Sequence, residues 1–355
     1  MTFHIVMSRP IDLDGITRTA SEGRCPRHSM ALLAKELDAC IHEPPRDTTD
    51  AWDRVRAKIA GPPQLWNMAR ILSKQLKVED CVYCVSEAGG LQVAAYCGGL
   101  RNRPKICVFV HNMDRPRRRL ALKLWHASRH VDLFLACSQW QVDFLRQYLK
   151  LPSSRVRFIW DHTDTQFFSP GPSSSDNARP KIISVGLEQR DYRTLATATE
   201  NLDVDVAVSG FSEDAASRSR TFPEKLPANM TRRFYPWPEL LQLYRDAAVV
   251  VVSVHENKYA AGVQALMEAM ACRRPVVATM SSGLETYLDT GCVAVVKPAD
   301  AIEMRSAILA CLNSPNAAAN RAQRGYELAR VRYSMERYVD EIANHLRSLK
   351  HVAVS

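Results

Sequence analysis

The sequence predicts an α/β fold built from two parallel-sheet domains, and three observations on its 355 residues carry that expectation. Short apolar runs such as Val249–Val252 and Lys105–Val110 alternate with amphipathic stretches of helical period. Strands buried on both faces between crossover helices read in this way. The alternation halts at Pro170-Gly-Pro-Ser-Ser-Ser-Asp-Asn-Ala-Arg-Pro180 and then restarts from a fresh strand, which marks a linker. The length is that of about two domains, each able to bury a core of its own.

Met1–Pro10 lacks the anatomy of a signal peptide, and no apolar run approaches the roughly 18 residues of a spanning helix. The expected location is the cytoplasm, with peripheral contact at the inner face of a membrane. Ten cysteines are scattered, mostly in apolar runs, and read as buried reduced thiols. Cys81 and Cys84 form a CxxC inside a strand-like run, but no second Cys or His pair stands at zinc-ligand spacing. The net charge of +9 is concentrated: residues 101–130 hold nine Lys or Arg against the single acid Asp114. The excess therefore describes one surface. That stretch has one tryptophan and no recognition module, so nucleic acid is not an expected partner.

Taken in order, Phe3–Met7 is a strand, Ser8–Arg27 a polar loop and Ser29–Ala39 a helix. No Gly-x-Gly-x-x-Gly follows the first strand, so the dinucleotide fingerprint is missing. Trp66–Leu76 is a helix. Cys81–Val85 is a strand ending in the loop Ser86-Glu87-Ala-Gly-Gly90, and Lys105–Val110 delivers His111 and Asn112 to the same rim. Val131–Ala136 ends at Ser138, a capping residue for the helix Gln139–Leu149. Arg155–Trp160 completes the first set of strands. After the linker come a strand Lys181–Val185, the turn Gly186–Asp191, a helix to Thr199 and a strand Val204–Val208. Asp203 and Asp205 resemble a metal-binding Asp-x-Asp, but the valines between and beyond them make a polar strand face the simpler reading. A helix Pro238–Ala247 leads to the segment Val249–Ala278: strand, loop, helix, strand. In such a βαβ unit ligands bind where the first strand ends and the helix begins, here His255 to Gln264. Val293–Val296 is a strand, and helices Ala301–Asn313, Ala317–Arg332 and Met335–Leu349 close the chain. The expected architecture is two Rossmann-like domains facing each other across a central cleft. The domains are 1–169 for acceptor and 181–332 for donor, with a linker at 170–180 and a segment 333–355 packing back on the first.

Four motifs in this order resemble the retaining, family-four glycosyltransferases of the GT-B fold. Ser138 and its helix lead to Asp161-His-Thr-Asp164 and Phe168-Ser-Pro170, where family members carry Asn-Gly-Val-Asp and Phe-x-Pro. Ser184-Val-Gly186 is followed by Arg190, in the place of the basic residue that holds a donor diphosphate. Glu268–Val277 reproduces Glu-Ala-Met-Ala-Cys-Gly-x-Pro-Val-Val except at Arg273. The resemblance implies transfer of a hexose from a nucleotide diphosphate sugar, UDP-sugar first among them, without metal or cofactor and without a protein nucleophile. Arg190 and His111 become the catalytic candidates. Arg190, Ala261, Gly262, Val263 and Gln264 become the diphosphate site, and Glu268 the acceptor of ribose hydroxyls. A helix amino terminus offers unpaired N–H groups and a positive dipole end to such a leaving group, and small residues let backbone approach phosphates closely.

Three departures set the chain apart. With seven residues between, the sugar-reading glutamate of the family falls on Ala260, which leaves Glu256 and Asn257 as donor-sugar candidates. Arg273 must end a helix where glycine is usual, at about 1 kcal/mol. The glycine-rich first loop has become Asp14-Gly15…Gly23-Arg24, so Gly15, Arg18 and Glu87 are the acceptor-side candidates. Arg115, Arg117, Arg118, Arg119, Lys123 and Trp125 form a basic amphipathic stretch suited to anionic lipid headgroups. A membrane lipid is thus the expected acceptor. Alternatives are a soluble, phosphorylated acceptor gripped by the same arginines and a noncatalytic protein that binds a nucleotide sugar.

Overall fold

The structure is a computed structural model that describes residues 2–46, 50–174, 178–211 and 221–349. Ser175, Asp176 and Asn177 of the expected linker, and the end of the last segment from 350, lie outside the described residues. Two compact units form. The first comprises the described parts of 1–17, 28–159 and 338–355, the second those of 18–27 and 160–337.

The first unit holds a parallel sheet of β1 (Phe3–Val6), β2 (Cys40–His42), β3 (Cys81–Cys84), β4 (Lys105–Val110), β5 (Leu133–Ala136) and β6 (Val156–Phe158), in the order β2-β1-β3-β4-β5-β6. The second holds β7 (Lys181–Val185), β8 (Asp205–Ser209), β9 (Met230–Arg232), β10 (Val249–Val252), β11 (Val276–Thr279) and β12 (Ala294–Val296), in the order β12-β11-β10-β7-β8-β9. Every named pairing is parallel. The central strands earn their places by burial. All four valines of β10 are inaccessible, and a fully buried Val contributes about 1.5–3 kcal/mol against about 1–2 kcal/mol for ordering its backbone. Strand order reverses between β1 and β3 in one sheet and between β7 and β10 in the other. Such switch points open a crevice at the carboxyl ends of the strands.

Several short elements differ from the sequence expectation. Ser8–Arg27 is not all loop: Leu13–Ser21 is a helix, with the Gly15 N–H on Asp12 Oδ1 at 2.8 Å, and none of its residues is buried. Ser86–Gly90 is not a loop either, because the helix Glu87–Cys97 starts within it and both glycines face apolar neighbours, Gly89 against Val6 and Gly90 against Val108. The strands β2 and β9 and the helix Ala51–Ala57 have too few residues to show a period. Asp203 and Asp205 meet Arg179 rather than lying together on an empty face. All ten cysteines are free and only Cys40 is exposed; burial pushes the Cys81 thiol up to about 12. Asp164, from the Asp161–Asp164 motif, is buried and accepts from the Arg27 backbone at 2.8 Å and its guanidinium at 2.6 Å. That ion pair is what draws 18–27 into the second unit.

The helix Val263–Ala271 ends in a Schellman closure, with Arg273 N–H on Met270 O at 2.9 Å and Arg274 N–H on Ala269 O at 3.0 Å. Arg273 itself sits at φ 54°, a left-handed conformation that costs an L-residue about 1–2 kcal/mol. Its side chain is exposed, with a 3.5 Å contact to Gln323 and the guanidinium 5.9 Å from the Tyr326 ring centroid. Arg273→Gly should therefore stabilise the protein by about 0.5–1 kcal/mol, the strain relief exceeding the added freedom of the unfolded chain. Urea denaturation will show it as a raised midpoint at unchanged slope, and a lowered midpoint would refute the strain.

Candidate functional site

The candidate residues divide between the units. In the second, the switch point between β7 and β10 organises them. The turn after β7 crosses to the exit of β10: Arg190 and Val254 form an antiparallel bridge, Asp191 N–H donates to Ser253 O at 3.0 Å and His255 N–H to Gln189 O at 2.8 Å. Gly186 makes the turn possible. Its φ is 100°, and a Cβ there would lie 2.5 Å from Arg190 Nη2. The Arg190 guanidinium packs against this glycine, and the residue is only 4 % exposed. It donates from Nε and Nη2 to Val185 O at 2.9 and 2.7 Å and from Nη1 to Glu188 O at 3.1 Å. Three of its five N–H groups are engaged in this way, and the Tyr192 hydroxyl lies within hydrogen-bonding reach of the same guanidinium.

The guanidinium sits beside a helix amino terminus. Gly262 precedes Val263–Ala271 with φ 97°, and no side chain caps the helix. A Cβ on Gly262 would stand 2.8 Å from Val252 Cγ1, 3.0 Å from Leu284 Cδ1 and 3.4 Å from Arg190 Nη1. Glycine is required by both conformation and space. The first turn has no acid, so its N–H groups and Arg190 together form a seat for an anion. Ala261 and Val263 are buried and line this turn from within, whereas Gln264 is exposed.

Glu268 lies on the same helix, one turn beyond Gln264. Its Oε2 accepts from the Tyr244 hydroxyl at 2.6 Å. Burial pushes the Glu268 carboxyl up to about 7, against the Tyr244 hydrogen bond and the charge of Arg190, which favour ionisation. Oε1 carries no protein hydrogen bond among those described and stays available to hydroxyl donors. Glu256 accepts from Ser282 N and Oγ at 3.0 and 2.7 Å, and Asn257 folds onto its own loop, accepting from Tyr259 N at 3.0 Å and donating to His255 O at 2.8 Å. The two residues stitch 255–260 to 281–283, where Gly283 packs directly on Tyr259 O. Tyr244 is not among the site residues expected from sequence, and His255 is expected only as the start of the ligand-binding segment. Tyr244 carries no signal before folding. His255 lies 3.5 Å by Nδ1 from Asp191 Oδ2, and its Nε2 is buried with no partner.

In the first unit, Glu87 is 1 % exposed. Oε2 accepts from His111 N at 3.0 Å, and Oε1 accepts from Asn112 N at 3.2 Å and from the Arg118 guanidinium. Burial opposes its charge, yet the His111 and Arg118 charges and the backbone donors win and hold it below the usual carboxylate range. A fully engaged, buried carboxylate orients the end of β4 and leaves His111 exposed above Phe109, ring centroids 4.8 Å apart. The basic stretch is the helix Pro116–Leu124. Arg115, Arg117, Arg119 and Lys123 are exposed, with Arg119 over the Tyr148 ring at 4.3 Å. Trp125 is a correction: it packs edge-on against buried Trp66 at 4.7 Å and is not part of the basic face. Gly15 lies within the helix Leu13–Ser21, and Arg18 is exposed near its end.

Tyr244 is wholly buried, so Tyr244→Phe removes one hydroxyl with little change of shape. A hydrogen bond to a charged group is worth about 1.5–3 kcal/mol, or one pH unit and more. The Glu268 midpoint should rise from about 7 by that amount in a carboxyl NMR titration, and an unmoved midpoint would show that the bond does not support the charge.

Residues 184–314 match the family described as Glycosyl transferases group 1. No curated protein matches the chain in sequence. Among solved structures, the sucrose-phosphate synthase of Thermosynechococcus elongatus superposes with a TM-score of 0.72 at 16 % identity, covering 98 % of this chain and 99 % of that one. HepE of Anabaena, solved in complex with UDP-glucose, gives 0.68 at 16 % identity over 98 % and 100 %. A glycosyltransferase from Rickettsia africae gives 0.68 at 13 % identity over 98 % and 99 %. Over residues 184–314 the chain thus resembles the group 1 glycosyltransferases, and its fold is the GT-B fold of these structures.

Proposed function

We propose that the protein transfers a hexose, with retention, from a nucleotide diphosphate sugar to an acceptor, UDP-sugar being the donor read from HepE. The observation that carries this reading is the placement of the Arg190 guanidinium beside the uncapped amino terminus at Gly262. A leaving diphosphate gains negative charge as the glycosidic bond breaks. A preorganised guanidinium and backbone N–H groups stabilise that charge more in the transition state than in the bound donor. Glu268 Oε1 accepts from ribose hydroxyls, with Tyr244 holding the other oxygen. The departing diphosphate oxygen takes the acceptor proton in front-face attack, and His111 donates to a sugar hydroxyl or steers that proton. The exposed arginines of 115–119 and Lys123 fit an acceptor presented at an anionic membrane, although no helix among the described residues is long and apolar enough to cross one.

Ala260 favours a second reading, a nucleotide-sugar-binding protein without turnover, because the sugar end of the site lacks a carboxylate in register. Product analysis with purified protein, donors and lipid extracts separates the two: donor binding with no transfer or hydrolysis across the set supports the binding protein.

Arg190→Ala should weaken UDP-glucose binding by roughly 10-fold or more, the worth of a charge-assisted hydrogen bond. Isothermal titration measures this, and an unchanged affinity removes the diphosphate assignment. Hydroxyl donors favour the ionised Glu268, so binding should expel its proton wherever the free carboxyl is protonated. Affinity for UDP-glucose should then fall as pH drops below about 7 and level off above it. Glu268→Gln should flatten the profile, and a persisting slope would place the titration elsewhere.

A further inference from the structure

The first unit contains a cavity of about 640 Å³ beside the carboxyl ends of β3 and β4, within the usual size of a small-molecule site. Its floor is apolar, formed by Ala57, Ala60 and Leu91, and its rim carries Arg115, Arg117 and Arg118. Arg118 is already paired with Glu87, whereas Arg117 is exposed and has no protein partner among the described residues. The helix that brings these arginines begins at Pro116 with neither a side-chain cap nor an acid in its first turn. Rim and helix end therefore both call for an oxyanion.

A second observation comes from Gln92. It lines the cavity and is fully buried. Nε2 donates to Ala60 O at 3.1 Å, which fixes the amide orientation, and Gly61 closes over it so tightly that a Cβ would fall 2.3 Å from Nε2. Oε1 is left buried with no hydrogen-bond partner. An acceptor orphaned in this way costs about 1–3 kcal/mol unless a ligand or water supplies a donor. The occupant thus needs a hydroxyl as well as an oxyanion. Both flanking helices leave large apolar side chains in solvent, Trp52 and Val55 on one and Leu120 and Leu124 on the other, which suits an occupant with an apolar limb.

We propose that this cavity binds a phosphate monoester that carries a neighbouring hydroxyl and an apolar substituent, with the phosphate on Arg117 and the helix end and the hydroxyl donating to Gln92 Oε1. Only the identification of this occupant as the glycosyl acceptor rests on the transferase reading; binding itself does not. The same chemistry comes from a soluble phosphate ester or from a lipid headgroup, and two probes separate them. Titration calorimetry with glycerol 3-phosphate and with hexanoyl lysophosphatidic acid reads the soluble form. Flotation with phosphatidylcholine vesicles, with and without lysophosphatidic acid, reads the bilayer form. Binding should be at least 10-fold tighter for hexanoyl lysophosphatidic acid than for glycerol 3-phosphate. Arg117→Ala, at an exposed position, should weaken it at least 5-fold, and Ala57→Leu should weaken it by filling the floor. Binding only in vesicles, lost in the same variants, supports the site and places its ligand in the bilayer. Absence of binding to every probe, or binding indifferent to both variants, overturns it. UDP-glucose affinity measured on the same samples should stay unchanged, so a failure here is separable from a failure of the donor site.

Discussion

The guanidinium of Arg190, packed against Gly186 and fastened to Val185 O, is the contact on which the second unit's candidate site depends. It exists because β7 and β10 are neighbours at a switch in strand order, so the turn leaving one can bridge to the exit of the other. Neighbouring strands lie about 4.8 Å apart, and a short loop suffices to carry a charged group across. The glycine is needed twice over, for the positive φ of the turn and for the space the guanidinium fills. A permanently charged group is thereby held with little rotamer freedom left to lose on binding, which is the condition for electrostatic preorganisation.

Burial then sets the roles of the carboxylates. Glu87 and Glu268 both lie on helices that follow parallel strands, yet their pKa values shift in opposite directions. Glu87 has two backbone donors and a guanidinium, which outweigh its desolvation. Glu268 has one phenol and a more distant arginine, and desolvation wins. The first is consumed in shaping the loop that carries His111. The second keeps an oxygen and a proton equilibrium near neutrality. Two residues of the same type are thus sorted, by the donors that the fold supplies, into one fully engaged within the protein and one that keeps an oxygen without a protein donor among the described residues.

Much of this was legible beforehand. The valine run of β10, the glycine at 262 and the Glu268–Val277 segment locate the βαβ unit and its ligand-facing end, since burial on both faces and a left-handed glycine leave direct marks in sequence. The left-handed strain at Arg273 was likewise visible as a missing glycine. The helix Leu13–Ser21 is easily overlooked because Gly15 and its polar neighbours suggest a loop, although Leu13, Ile16 and Ala20 recur at helical spacing. The start of the helix at Glu87 was hidden by paired glycines, which usually mark turns but here admit Val6 and Val108 of the sheet. Trp125 reads as a surface aromatic only until Trp66 is seen beneath it.

The sequence by itself determined the alternation of buried strands and crossover helices, the break between two sheets, and the residue types gathered at 255–264 and 268, because these follow from local periodicity and backbone conformation. The tertiary structure alone decided strand order, and with it the crossing of Arg190 to the β10 exit and the phenol that Tyr244 lends to Glu268. It also decided which arginines of 115–119 are tied down, and left the buried Gln92 oxygen, on a residue that lines a cavity, without a donor. Those contacts join residues far apart in the chain, and which distant groups share a hydrogen bond is settled only when the sheets are ordered and their helices packed.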